Sequence, residues 1–262
     1  CRDDWDVVGK IIAGTNQKGG VGKTTTAVNL SACVAEKGRR VLLVDIDPQG
    51  NASSGLGCAA RHRRSIYDVL MGETPAKDAI QATKFGPLSL LPSSIQLAGA
   101  EIELVAMPGR ETLLKNALEP VKDEFDYIFI DCPPSLSLLT LNAMAAADSV
   151  LVPIQCEYYA LEGVGQLMNT LQLVKKSLNP RIEVEGVVLT MLDGRTNLGI
   201  QVVEEVKKYF KDRVYSSIIP RNVRLSEAPS YGMPIHRYDG RCNGAAAYRA
   251  LARELIGRNE GK

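Results

Sequence analysis

The chain has 262 residues, of which 45% are hydrophobic and 23% charged, and its formal net charge is +1. That is enough chain for one large α/β domain or two small ones, and no apolar run approaches the ~18–20 residues of a membrane-spanning helix. Six cysteines without a C-x-x-C pair, and only two histidines (His62 and His236), speak against a disulfide framework, an iron–sulfur centre or a histidine-built metal site.

The opening "CRDDWDVVGK" lacks the apolar core of a signal peptide and carries three aspartates, so a cytoplasmic location is expected. Residues 1–10 read as a tail, 11–257 as a single domain and 258–262 as a second tail. "IIAGT" (11–15) predicts a buried strand, followed by a glycine-rich loop and a helix over 23–36 that Gly38 ends as a left-handed cap. "VLLVDID" (41–47) predicts a second strand, and its almost continuous apolar run suits a parallel sheet covered on both faces. Further strands are expected at 88–92, 127–131, 149–154, 184–192 and 214–220. Helical patterns fall near 65–72, 96–118, 136–147, 161–178 and 199–211, and a last alanine-rich helix near 243–257. This alternation implies a doubly wound, mostly parallel twisted sheet with helices on both faces. In such sheets ligands gather at the C-terminal strand ends, so the chemistry should sit just after each strand.

"KGGVGKTT" lies in that position, between a strand and a helix. Gly19, Gly20 and Gly22 let the backbone amides of the loop, Val21 included, turn inward around phosphate oxygens, and the helix N-terminus adds its positive end. Lys23 can reach the β- and γ-phosphates, the Thr24 hydroxyl is placed to ligand Mg²⁺, and Thr25 completes the motif. The pattern departs from G-x-x-x-x-G-K-[ST] because Gln17 stands where the first glycine belongs and a second lysine, Lys18, follows it.

The form K-G-G-x-G-K-[ST] resembles that of the deviant Walker A ATPases, the ParA/Soj and MinD group of phosphate-loop NTPases. The resemblance implies a nucleotide-sandwiched homodimer in which Lys18 reaches the partner's phosphates, offsetting the repulsion between two ATP-loaded faces. Gly19 would lie at the closest approach, where a side chain would obstruct the contact. It also assigns Asp131 of "FIDCPPS" (129–135) to hold Mg²⁺ through water, and Asp47 of "DIDPQGN" (45–51) to orient or activate the attacking water. Asp45 is expected to be structural, and Pro133–Pro134 to form a switch that senses the γ-phosphate. In "SIIPRNVRLSEAPSYGMPI" (217–235), Pro220 and Asn222 are expected to contact adenine, the Asn amide both donating and accepting hydrogen bonds.

"DPQGNA", "DCPPSL", "LDGRTNLG" and "IIPRNVRLSEAPSYG" look most like the chromosomal ParA/Soj subgroup, with similarity from Ile11 to about Ile256. Membership implies non-specific binding of double-stranded DNA by the ATP dimer, stimulation of ATP hydrolysis by a ParB-like protein, and a nucleoid-associated location. Charge distribution points the same way. Residues 195–262 hold 13 basic and 7 acidic side chains, whereas the other 194 residues hold 18 and 23. Arg195 and Arg224 match the family's DNA-contacting arginines, and Arg221 would lie one helical turn from Arg224 if that piece is helical.

Competing readings are a MinD-like membrane-associated ATPase and an ATP-dependent amidoligase-type synthase. The last helix argues against the first, since Tyr248, Leu251, Leu255 and Ile256 are only enough to pack one face onto the domain. A nitrogenase-reductase-like cluster is set aside, because Cys132 has no suitably placed second cysteine. "YDGRCNGA" departs from the family pattern at Gly240, Arg241 and Cys242, and "CAARHRR" (58–64) adds Arg61, Arg63 and Arg64 near the second acidic motif. No operator-binding helix-turn-helix precedes Ile11, so transcriptional autoregulation through such a domain is not expected.

Overall fold

The computed structural model describes residues 9–58 and 64–261. Arg61, Arg63, His62 and most of the expected N-terminal tail lie outside the described residues. In chain order the elements are β1 Lys10–Gly14, α1 Lys23–Glu36, β2 Val41–Asp45, α2 Asn51–Gly55, α3 Ile66–Leu70, α4 Ala76–Ala79, β3 Gln81–Ala82, β4 Leu88–Leu91, α5 Leu97–Val105 and α6 Leu113–Leu118. They continue as β5 Tyr127–Asp131, α7 Leu138–Ala146, β6 Ser149–Gln155, α8 Val164–Ser177, β7 Glu183–Thr190, α9 Asn197–Phe210, α10 Val223–Glu227, α11 Ile235–Tyr238 and α12 Asn243–Glu260.

The strands form one sheet in the order β3-β4-β2-β5-β1-β6-β7. Every pairing is parallel except that of the two-residue β3 with β4. The central strands are apolar up to their charged end residues because each face is covered, and the side chains divide with the period of two that a pleat imposes. Ile11, Ala13, Leu42, Val44, Ile128 and Ile130 enter the core beneath α3 and α5–α9. Ile12, Val41, Leu43, Tyr127 and Phe129 enter the opposite core beneath α1 and α12. Truncating any of these fully buried leucines to alanine is expected to cost about 2–5 kcal/mol.

Helix α1 has the expected bounds, and Gly38 takes the left-handed conformation that ends it, at φ 83°. Three sequence expectations need correction. The 96–118 pattern is two helices, α5 and α6, interrupted around Pro108 and Gly109, since proline removes a donor and glycine adopts φ 65° there. Segment 214–220 is not a strand: only Val214 and Pro220 make isolated bridges, to Val187 and Leu192. The second strand stops at Asp45, because the backbone beyond it turns to meet its own carboxylates.

Helix α12 lies against α1, with Tyr248, Leu251, Ala252 and Leu255 buried and Ile256 packed at the margin, as the sequence expectation had it. Its hydrogen bonds reinforce the packing: Tyr248 Oη meets Thr26 Oγ1 at 3.1 Å, and Arg249 donates to both carboxylate oxygens of Glu36. The apolar face of α12 is therefore spent within the chain. Among the described residues, no helix is long and apolar enough to cross a membrane.

Candidate nucleotide site

The site forms where β1 separates the strands on its β5 side from those on its β6 side, at the C-terminal edge of the sheet. Gly14 ends β1, pairs in register with Asp131 of β5, and Asp131 pairs in turn with Asp45 of β2. Parallel register thus brings the glycine loop and both acidic motifs to one edge.

The loop 15–22 folds back over that edge and is tied at three points. Asn16 Nδ2 donates to the Pro153 carbonyl at 2.8 Å, and Asn16 Oδ1 accepts from the Lys18 amide at 3.0 Å. Thr190, the last residue of β7, donates its hydroxyl to the Val21 carbonyl at 2.7 Å. Gly20 and Gly22 have φ 73° and 88°, which side-chain-bearing residues rarely adopt, and these two positions turn the loop inward. Gly19 faces open space, since a Cβ added there would meet nothing within 4 Å. Lys23 and Thr24 open α1, and Thr25 follows in its first turn.

Lys23 is buried and its ammonium donates to the Lys18 carbonyl at 2.9 Å. Burial lowers its pKa, against the opposing attraction of Asp131, Cys132 and Asp47. Thr24 Oγ1 donates to Asp131 Oδ2 at 2.8 Å, while Asp131 Oδ1 is buried with no hydrogen-bond partner. Burial holds the Asp131 carboxyl well above the usual carboxylate range, and Asp45 adds to this by repulsion, with Thr24 and Lys23 acting against it. An orphaned carboxylate oxygen beside a threonine hydroxyl, with the carboxylates of Asp45 and Asp47 close enough to act on it, is a donor set that a hard divalent cation satisfies. Among the described residues no three His, Cys, Asp or Glu side chains form a cage of their own. Magnesium needs none, because it keeps several waters and phosphate oxygens as ligands.

The two aspartates of the second motif differ in their surroundings. Asp45 accepts from the Ser53 amide (2.8 Å), the Ser53 hydroxyl (2.6 Å) and the Asp47 amide (3.2 Å), so both of its oxygens are tied to the protein. Burial pushes its pKa up to about 6 despite those bonds. Asp47 is buried too, but among the described residues its carboxylate accepts only from the Gln49 amide, at 2.9 Å. Ser93 holds it from behind by donating to its carbonyl at 2.7 Å.

Lys18 leaves this cluster and pairs with Glu157 in the loop after β6. Asn222 caps α10, its Oδ1 accepting from the Arg224 amide at 2.8 Å. Arg195 and Arg221 are brought together by the Leu192–Pro220 bridge, where the Arg221 amide donates to the Leu192 carbonyl at 3.0 Å. Arg221 precedes α10 rather than lying a helical turn from Arg224 within it, because Asn222 starts the helix. Arg195 is paired with Asp193 (2.7 Å), and Arg224 with Glu227 (2.9 Å) and Asp239 (3.5 Å). Cys132 is fully buried in the core under the sheet, and burial drives its thiol pKa far up. Cys242 caps α12 through its sulfur, which accepts from the Ala245 amide at 3.4 Å.

Sequence reasoning missed Thr190, Asn16, Ser53, Ser93 and Glu157. A detectable signal existed for Thr190, a hydroxyl at the C-terminal end of an apolar strand, where site residues collect. Glu157 had none, because its partner is 139 positions away in the chain.

Comparison with known proteins matches this arrangement. An AAA domain family model matches residues 9–184. The sporulation initiation inhibitor protein Soj of Bacillus subtilis is 64% identical over 249 residues, covering 95% of this chain and 98% of that protein. The chromosome partitioning protein ParA of Myxococcus xanthus is 55% identical over 259 residues, covering 98% and 92%. Among solved structures, cobyrinic acid a,c-diamide synthase of Mycobacterium smegmatis, with a bound ATP analogue and magnesium, superposes with a TM-score of 0.85 at 39% identity over 97% of this chain and 98% of that one. With a phosphate loop at the switch point of a parallel sheet and this degree of identity over nearly its whole length, the chain belongs to the ParA/Soj family of chromosome-partitioning ATPases.

Proposed function

We propose that the chain is a Mg²⁺- and ATP-dependent dimerising switch that binds double-stranded DNA without sequence preference and segregates a chromosome or plasmid with a ParB-like activator. The observation that carries this reading is the lip of the phosphate loop. Gly19 and Gly20 face space free of their own chain, and Lys18 beside them accepts from Lys23 at its carbonyl while its ammonium turns to Glu157. A second copy can approach there as closely as its own backbone allows.

In this reading Lys23 swings from the Lys18 carbonyl to the β- and γ-phosphates, and the amides of 19–24 cradle them. Asp131 and Thr24 would hold magnesium, which when bound neutralises phosphate charge. Asp47, free of the bonds that occupy Asp45, orients the attacking water and accepts its proton, giving ADP and phosphate. Lys18 of each copy reaches the other's phosphates. Pro133 and Pro134 stiffen the backbone after Asp131, so that loss of the γ-phosphate is passed to the dimer face. Pro220 and Asn222 border the base. Arg195, Arg221 and Arg224 engage DNA phosphates by exchanging their acidic neighbours for them, which makes affinity salt-dependent and indifferent to sequence. The location is the cytoplasm, on the nucleoid.

A second reading, an amidoligase-type synthase, is favoured only by the 39% likeness to a diamide synthase. A MinD-like role has less to stand on, because the apolar face of α12 is buried against α1. Gel filtration with DNA and liposome binding, in ADP against a slowly hydrolysed ATP analogue, separates the three. ATP-dependent DNA binding that Arg224→Glu weakens at least ten-fold while dimerisation persists supports the proposal. DNA affinity unmoved by this substitution and by salt refutes it; liposome binding favours the MinD-like role, and binding to neither favours the synthase.

A further inference from the structure

Both lysines of the phosphate loop are engaged by the protein itself. Lys23 donates to the Lys18 carbonyl, and the Lys18 ammonium pairs with Glu157, each side chain of that pair about one-third exposed. Glu157 is held in place independently of the pair. The Cys156 amide donates to the Thr190 carbonyl at 3.0 Å, the Glu157 amide donates to the Gln155 carbonyl at 2.9 Å, and the Ala160 amide donates to the Glu157 carbonyl at 3.0 Å. The same Thr190 whose backbone seats this loop also bonds Val21 of the phosphate loop through its hydroxyl. The two loops are thus fixed against one residue, at the end of β7, and the ion pair closes the gap between their tips.

We infer that Glu157 is a positioning residue that parks Lys18 on its own subunit, so that the lysine must leave Glu157 before it can reach the phosphates of a second copy. This rests on the dimer reading above and adds to it a threshold. The loop geometry supplies a trigger as well. When Lys23 turns to arriving phosphates, the Lys18 carbonyl loses its cation, and the residue carrying both groups is freed at its backbone at the moment its side chain is needed elsewhere. Beside Glu157, Tyr158 and Tyr159 are largely exposed and packed edge to face at 4.8 Å, so the parked lysine lies next to an apolar surface that dimerisation can cover.

A partly exposed ion pair of this kind is worth about 1.5- to 5-fold, and because each of the two subunits must break one, its loss should shift the dimer association constant by about 2- to 25-fold. The test is sedimentation of the full chain with Mg²⁺ and a slowly hydrolysed ATP analogue, comparing wild type, Glu157→Gln and Glu157→Asp. Glu157→Gln should dimerise at a protein concentration lower by that factor, with Glu157→Asp closer to wild type. The gap between wild type and Glu157→Gln should close near 1 M salt, where the screening length is about 3 Å. Affinity of the monomer for the nucleotide should not move. If wild type dimerises and Glu157→Gln dimerises equally or less well, or if the gap persists at high salt, the parking role is overturned while the dimer stands. If wild type stays monomeric under all these conditions, the dimer reading falls and this inference with it.

Discussion

Replacing Asp131 with asparagine should make the nucleotide-free protein more stable and its magnesium-bound form less so. Asp131 is fully buried, accepts one hydrogen bond from Thr24, leaves Oδ1 unpartnered, and sits in register with Asp45 on the neighbouring strand. Asparagine has the same shape, keeps an oxygen for the Thr24 hydroxyl, and removes a charge that burial and Asp45 both oppose. Neutralising a poorly compensated buried charge is worth on the order of 1–3 kcal/mol. In a chain of this size each kcal/mol moves Tm by about 2–4 °C, so the variant should melt roughly 3–10 °C higher without ligand. The sign with pH is set by the direction of the shift. A carboxyl whose folded pKa is raised contributes stability below its unfolded pKa and loses it as pH rises through the folded value. The advantage of the variant should therefore be larger at pH 7.5 than at pH 5. With Mg²⁺ and an ATP analogue at about 100 times Kd, wild type should gain about 2.7 kcal/mol, and the magnesium-dependent part of that gain should vanish in the variant. Thermal melts in EDTA and in Mg²⁺ at the two pH values read all of this. A variant that melts lower than wild type in EDTA at pH 7.5 would refute the reasoning, since it would mean that the Asp131 charge is compensated in the folded chain.

Two further outcomes follow from the same site. Asp47→Ala should bind ATP yet turn it over at least 100-fold more slowly, and sedimentation with ATP should find it trapped as a dimer; a variant that hydrolyses ATP at the wild-type rate removes Asp47 from the chemistry. Thr190→Val keeps the shape of β7 but leaves the Val21 carbonyl without its buried donor, at a cost of about 1–3 kcal/mol. Its nucleotide affinity, measured by calorimetry, should fall several-fold, whereas an unchanged affinity would mean that the loop is ordered without this tie.

Most of the nucleotide site was legible because phosphate recognition is done by the backbone of one short segment. The spacing in "KGGVGKTT" states which amides and which cation converge, wherever the rest of the chain goes. The acidic motifs were legible for a related reason: each ends an apolar run, and strand ends of a parallel sheet share an edge. The different surroundings of Asp45 and Asp47 were not legible, because the bonds that set them come from Ser53 of α2 and Ser93 after β4. Segment 214–220 has the apolar content of a strand, yet it meets β7 at too few points to form one.

By itself, the sequence determined the class of fold, the phosphate loop and the family, all of which rest on local periodicity, local spacing or shared residues. Tertiary structure alone decided the partners of the charged groups. It set Thr190 under Val21, left one oxygen of Asp131 unsatisfied, brought Asp239 to Arg224, and placed Glu157 against Lys18. The physical reason is that an ionic or hydrogen-bonded contact depends on distances of a few ångströms between side chains. In this chain the contacts of Asp131 with Thr24, Thr190 with Val21 and Glu157 with Lys18 join residues more than a hundred positions apart, and only the folded sheet brings them together.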